Sequence, residues 1–288
     1  MPTNEAINAL VILNSSWNHI YDTFNPVAFH IFSLPVHWYG MFYVLALLSA
    51  LYIGKYFIKR DKLEISGNQI DMYFVYVEIG VILGARLGYI LFYDTQTLYY
   101  LGHPWQIFNP FQNGEFIGIR GMSYHGAVIG FVLATYLFCK KHKIAFGKII
   151  DLVALSVPLA FVFGRIGNFL NQELIGRVTD VSWGIYVDGV LRHPSQLYEA
   201  ILEGLGVFLV VYAYRKFQKF SGELILVYAV SYGIFRFLAE IYRAPDVQIG
   251  YICCNTITFG QVLSLGMSLV SAIAWIYFYL QSKKIKIS

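Results

Sequence analysis

The chain has 288 residues, 57% of them hydrophobic and 13% charged, with 23 Tyr, 23 Phe and a formal net charge of +4. A soluble domain carries about 25% charged residues, and the apolar runs here are too long for one soluble core, so a soluble globular protein is excluded. Three cysteines, two of them adjacent at 253 and 254, make no disulfide framework, and neither a metal site nor a cofactor is expected.

No basic stretch precedes an apolar one at the start, so no cleaved signal peptide is expected. Apolar segments then follow at 36–57, 70–93, 149–170, 197–214, 224–242 and 259–280, with a shorter one at 122–138. Each approaches the roughly 20 residues that cross a bilayer. The expected fold is therefore all-α: a polytopic integral membrane protein of about seven transmembrane helices, forming a single domain over 1–288. Between the spans, 95–121 reads as an external loop with one short surface helix. The stretch 172–194, with VSWGIYV before Asp188-Gly189, reads as an external, head-like loop holding a small hairpin.

Charge sets the orientation. Lys55, Lys59, Arg60 and Lys62 follow the first span, and Lys140, Lys141, Lys143 and Lys148 follow the third. Arg215, Lys216 and Lys219 follow the fifth, and Lys283, Lys284 and Lys286 follow the last. By the positive-inside rule these regions are cytoplasmic, which puts the N-terminus outside and the C-terminus inside. The remaining basic residues, Arg86, Arg120, Arg165, Arg177, Arg192, Arg236 and Arg243, are all arginine and all fall toward the outer side. Arginine grips phosphate with two parallel bonds and keeps its charge when desolvated. For Arg86, Arg165 and Arg236, set inside apolar runs, burial is costly enough that a functional role is the expectation. Arg177 and Arg192 fit equally well as snorkelling or paired residues.

In GRIGNFLNQELIG (164–176), Arg165, Asn168 and Gln172 share one helical face, Gly164 and Gly167 thin the neighbouring surface, and Glu173 and Gly176 follow at the exit. That spacing serves a polar helix seam or a site equally. In FRFLAEIYRAPD, Arg236, Glu240 and Arg243 share a face; either all three form an ion-pair relay, or Glu240 orients one arginine and leaves the other's fork free. His125 opens the third span, where an imidazole suits either a structural role or proton transfer near neutral pH. In HPSQLYEAILEG, Ser195 is an expected N-cap, Glu199 sits in the first turn, and Glu203, one turn deeper, needs a partner. The absence of GxSxG, HExxH and a phosphate-cradling glycine loop disfavours a serine hydrolase, a zinc protease and a nucleotide enzyme.

Taken together, these stretches resemble the bacterial phosphatidylglycerol–prolipoprotein diacylglyceryl transferase family. GRIGNFLNQELIG is similar to that family's signature. It is joined by HWYG at 37–40, GARLGYILFY at 84–93, SYHG at 123–126, HPSQLYEA at 193–200, FRFLAEIYRAPD, and GQVLSLGM at 260–267. One departure is Gly266, where the family usually has proline. The resemblance implies a multi-pass enzyme of the bacterial inner membrane with its active site toward the outer face. Its partners would be phosphatidylglycerol, preprolipoprotein signal peptides with a lipobox cysteine, and membrane lipids, with no nucleic acid. The diacylglyceryl group would pass to the cysteine thiol as glycerol phosphate leaves. On this reading the catalytic set is His125 as base, Arg165, Arg236, Glu240 and Tyr39. The phosphatidylglycerol-binding set is Arg165, Asn168, Glu173, Gly176, Arg236 and Arg243.

Two other classes compete. An anion transporter also places arginines in the membrane, but no inverted repeat or pair of broken helices appears. A seven-helix receptor shares the topology, but the dense Arg/Asn/Glu set exceeds what a scaffold requires.

Overall fold

The computed structural model describes residues 17–32, 34–112, 114–116, 118–119, 121–245, 250–253 and 256–285. Arg120, Cys254 and Lys286 lie outside the described residues. The described residues are 69% helical, and the chain divides into two compact units, residues 1–56 with 150–288, and residues 57–149. Among the described residues, five helices are long and apolar enough to cross a membrane. They are α1 (Trp38–Arg60), α2 (Gly67–Phe92), α5 (Phe146–Leu170), α6 (Ser195–Phe217) and α8 (Phe259–Ile285). The other two expected spans are also helical, as α4 (Tyr124–His142) and α7 (Glu223–Glu240). The 18 residues of α7 include Glu223, Arg236 and Glu240, so composition alone does not mark it as a span.

Within 57–149, Ser66 opens α2 with a reciprocal capping box, its hydroxyl accepting from Gln69 N while Gln69 Oε1 accepts from Ser66 N. The main packing is backbone on backbone. Gly80, Gly84 and Gly88 of α2 meet Gly126, Gly130 and Ala134 of α4, and a Cβ on Gly84 would collide with the carbonyl of Gly126. Small residues at these positions bring the two axes together, as van der Waals packing in a bilayer favours. An apolar groove of about 660 Å³ runs along the pair, bordered by Leu83, Leu87, Ile129 and Leu133. Between the two helices, the expected loop carries α3 (Thr97–Gly102), a 3₁₀ turn Pro104–Phe108 and a short hairpin of β3 (Phe111–Gln112) and β4 (Glu115–Phe116).

In the larger unit a hairpin, β1 (Val27–Ile31) and β2 (Leu34–His37), follows the 17–24 segment and runs straight into α1. Glycines again set the helix contacts. A Cβ on Gly167 of α5 would come 2.9 Å from Phe42 of α1, and one on Gly233 of α7 would lie 2.6 Å from the Ser264 carbonyl of α8. At one end of this unit two buried carboxylates clamp the turn between α6 and α7. Asp151 accepts from Gln218 Nε2 at 2.6 Å, Gly222 N at 2.7 Å and Leu224 N at 2.8 Å. Glu223 accepts from Tyr214 Oη at 2.6 Å and Trp275 Nε1 at 2.9 Å.

At the other end the expected hairpin forms, β5 (Ile185–Val187) against β6 (Val190–Arg192), with Asp188 and Gly189 both at positive φ in the turn. The segment 17–24 docks on it: Trp17 Nε1 donates to Trp183 O at 2.8 Å, and Tyr21 packs with Phe169 and Ile185. The stretch after α5 is stitched between two others. Thr179 N donates to Leu191 O, His193 N to Arg177 O, Arg177 N to Tyr242 O, and Ala244 N to Ile175 O. A last hairpin, β7 (Tyr251–Cys253) with β8 (Ile257–Thr258), leads into α8.

Candidate active site

Three helices of the larger unit bring charge together. α5 contributes Arg165, whose Nη1 donates to Asn168 Oδ1 at 3.1 Å, while Asn168 Nδ2 donates to Glu173 Oε1 at 2.7 Å. The helix stops at Leu170, and Gln172 and Leu174 both take left-handed backbone at φ 56°. That conformation costs a side-chain-bearing residue about 1–2 kcal/mol, and it folds the turn so that Glu173 reaches back to Asn168. Gln172 therefore does not share the face of Arg165 and Asn168. Its amide instead donates to Tyr21 O and Phe24 O, at 3.1 and 3.2 Å, and ties down the 17–24 segment. The Arg165 guanidinium lies 4.6 Å above the Phe161 ring, against a cation–π partner that costs no solvation.

α7 supplies Arg236 and Glu240. Arg236 Nη2 donates to Glu240 Oε2 at 2.7 Å, and its Nη1 is 3.1 Å from both Glu199 Oε2 and Glu203 Oε1. Glu240 also accepts from Thr258 Oγ1 at 3.2 Å, and Gly260 leaves room for its carboxylate, since a Cβ there would lie 2.8 Å from Oε1. The first turn of α8 thus receives a carboxylate, as its dipole favours. Arg243 Nη1 is 4.0 Å from the same Glu240 oxygen. Of the two arrangements open in the sequence, Glu240 grips Arg236 more closely than Arg243, and the Arg236 fork is engaged on both sides.

α6 completes the cluster through Glu199 and Glu203, both buried. Glu199 Oε2 also lies 2.9 Å from Arg165 Nε, as an ion pair without hydrogen-bond alignment. The π-helical stretch Ala200–Gly206 interrupts α6 at this point, and such bulges recur where a helix re-aims functional groups. Ser195 is not an N-cap. Pro194 holds that position, and the Ser195 hydroxyl donates to Leu174 O at 3.1 Å, tying α6 to the turn after α5.

The arrangement is a pair of guanidiniums held by carboxylates in a mostly buried cluster. Among the described residues, no group of His, Cys, Asp and Glu has metal-binding geometry. A sequence profile of the prolipoprotein diacylglyceryl transferase family matches residues 26–277. This chain belongs to that family. Among its relatives is the phosphatidylglycerol–prolipoprotein diacylglyceryl transferase of Campylobacter jejuni serotype O:23/36, 61% identical over 94% of this chain and 99% of the relative. The proteins of the same name from Campylobacter curvus and Wolinella succinogenes are 60% and 61% identical, covering 94% and 91% of this chain and 100% and 96% of their own lengths.

Within this family member, Arg165, Asn168, Glu173, Arg236, Glu240 and Arg243 form one connected network. Tyr39, in the first turn of α1, borders Gly167. Gly176 bridges to Arg243 as an isolated β-pair, and a Cβ there would collide with the His193 carbonyl. His125 belongs to the 57–149 unit, where it is exposed at the start of α4 with its Nδ1 3.3 Å from Tyr93 Oη.

Arg86 has a structural use. Its Nε donates to Ile107 O at 2.6 Å and its Nη1 to Gly121 O at 3.3 Å, so it organises the loop before α4. Arg177 and Arg192 serve the backbone as well, donating to Arg243 O at 2.8 Å and Gly176 O at 3.2 Å. The sequence reading left Glu199 and Glu203 out of the site. Their four-residue spacing beside Pro194 was visible, but nothing in it said that two arginines from other helices would meet them.

Proposed function

We propose that this chain transfers the diacylglyceryl group of phosphatidylglycerol to the lipobox cysteine thiol of preprolipoproteins. The single observation carrying the reading is the pairing of Arg165 and Arg236 across Glu199 in a transferase-family chain. In the reaction the thiol S–H bond breaks, an S–C bond forms at the glycerol carbon, and the C–O bond to phosphate breaks. The electron pair of that C–O bond leaves on the phosphate oxygen of glycerol phosphate. Guanidiniums fixed beforehand stabilise that developing charge without reorganising, which is the larger part of catalysis at such a site.

Arg165 and Arg236 take the phosphate, and Asn168 and Glu173 take the headgroup hydroxyls. Arg243 and Gly176 close the headgroup pocket, with Tyr39 and Glu240 supporting it. His125 accepts the thiol proton, because the thiolate is the nucleophile and a free thiol, with pKa about 8.5, is mostly protonated. The chain is a single catalytic domain over 1–288 that spans the inner membrane seven times, with the N-terminus outside, the C-terminus inside and the site toward the outer face. The alternation of lysine-rich ends supports that topology.

The test mixes purified protein, phosphatidylglycerol and a lipobox peptide, and follows released glycerol phosphate and the peptide's mass gain. Product from the parent and little from Arg165→Ala is expected. No product from the parent would sink the transferase reading, whereas full activity in His125→Ala would remove only the base assignment.

A further inference from the structure

The charges around Arg236 are closely balanced, and that has a consequence for an anionic ligand. From α6 come Glu199 and Glu203, from α5 Arg165, from α7 Arg236 and Glu240, and just beyond α7 Arg243. Tyr232 of α7 lies within electrostatic reach of Glu203, Arg236 and Arg165. Among the described residues, three carboxylates thus face three guanidiniums, with Glu173 adding a further negative group through Asn168. If every acid is ionised, the cage has no spare positive charge for a phosphodiester, and bringing one in would leave a buried net negative charge, which is costly.

Two atoms relieve this. Glu199 Oε1 and Glu203 Oε2 are both buried, and among the described residues neither has a hydrogen-bond partner. The opposite oxygens of the same two side chains converge on one nitrogen, Arg236 Nη1, each at 3.1 Å. Neighbouring carboxylates crowded on one cation do not both stay ionised when another anion arrives; one proton settles the pair.

We propose that the Glu199–Glu203 pair takes up one proton when the phosphate headgroup binds, so that the arginines keep a net positive charge toward the lipid. The inference rests on the transferase reading and adds to it. Anion capture becomes proton-linked, and the affinity for phosphatidylglycerol falls as pH rises wherever the free pair is ionised and the bound pair protonated. The conservative amide at Glu203 imitates the protonated acid and holds the cage in its lipid-ready charge state permanently.

The full chain in detergent is titrated calorimetrically with short-chain phosphatidylglycerol, in buffers of different ionisation enthalpy at matched pH, which counts protons taken up per lipid bound. The parent is expected to take up about one proton and to lose up to about tenfold in affinity per pH unit in the window where the free pair is ionised and the lipid-bound pair is protonated. Glu203→Gln is expected to take up close to none and to bind with little pH dependence. Lipid binding by the parent with no proton uptake at any pH overturns the inference while leaving the transferase reading intact. Uptake undiminished in both Glu203→Gln and Glu199→Gln overturns it too, by placing the proton elsewhere. If the parent neither binds phosphatidylglycerol nor releases glycerol phosphate, both readings fall together. The parent's proton count needs no variant, so a poorly folding Glu203→Gln does not shelter the inference.

Discussion

Glu199 Oε2 stands 2.9 Å from Arg165 Nε, and the same oxygen is 3.1 Å from Arg236 Nη1. One buried carboxylate therefore holds together guanidiniums from two other helices. Removing it leaves two buried cations facing each other with less compensation, and breaking a buried pair in this way costs about 3–5 kcal/mol. Glu199→Ala is expected to lower the thermal stability of the detergent-solubilised protein sharply and to abolish transfer. A variant with parental melting temperature would show that the bridge is not structural.

Arg236 meets three carboxylates with two terminal nitrogens, a geometry that a lysine ammonium cannot reproduce. Arg236→Lys keeps the charge but loses the fork. The transfer rate is expected to fall by about 10²–10³-fold, the size typical of losing a preset donor to a developing oxyanion. Measured turnover within a few-fold of the parent would mean that charge alone suffices there.

The helices were legible because long apolar runs leave little freedom, and the lysine clusters marked their ends. Glu173 was picked out by the family resemblance alone. Spacing put Arg165, Asn168 and Gln172 on one face, but the chain bends away before Gln172 can join the other two. The reason is a local strain, left-handed backbone at two residues that carry side chains, which no periodicity announces. Arg86 looked functional because burial of a charge is costly. In the fold it donates to carbonyls 21 and 35 residues away, which no local spacing announces. Glu199 and Glu203 were missed for the same reason in reverse, since their partners lie on α5 and α7 and only packing joins them.

Gly176 is needed for close approach rather than for an unusual turn. Its Cα faces the His193 backbone at a distance that no Cβ tolerates, and it pairs with Arg243 in the stitched segment beyond α5. Gly176→Ala must push that segment off β6, an overpacking effect of about 1–3 kcal/mol. Transfer should fall along with stability, because Glu173 directly precedes the displaced stretch and Arg243 pairs with it. Limited proteolysis across 175–193 should then cut faster than in the parent; an unchanged cleavage rate would argue against the steric account.

His193 connects this stitched segment to pH. Its ring meets Tyr198 and Tyr242 edge to face, and Nδ1 is 3.2 Å from Tyr198 Oη. Burial holds the imidazole below its ordinary value of 6.5, with the charge of Asp180 pulling weakly the other way. A histidine depressed in the folded state favours the neutral ring there, so on acidification the unfolded chain binds its proton first. The stabilising contribution is complete above 6.5 and is lost as pH falls through the folded value. The parent's melting temperature should therefore drop on going from about pH 7.5 to about pH 5. His193→Gln, which keeps a hydrogen-bonding group toward Tyr198 but does not titrate, should show a shallower drop over the same range. Parallel curves for parent and variant would assign the acid sensitivity to other groups and remove His193 from the account.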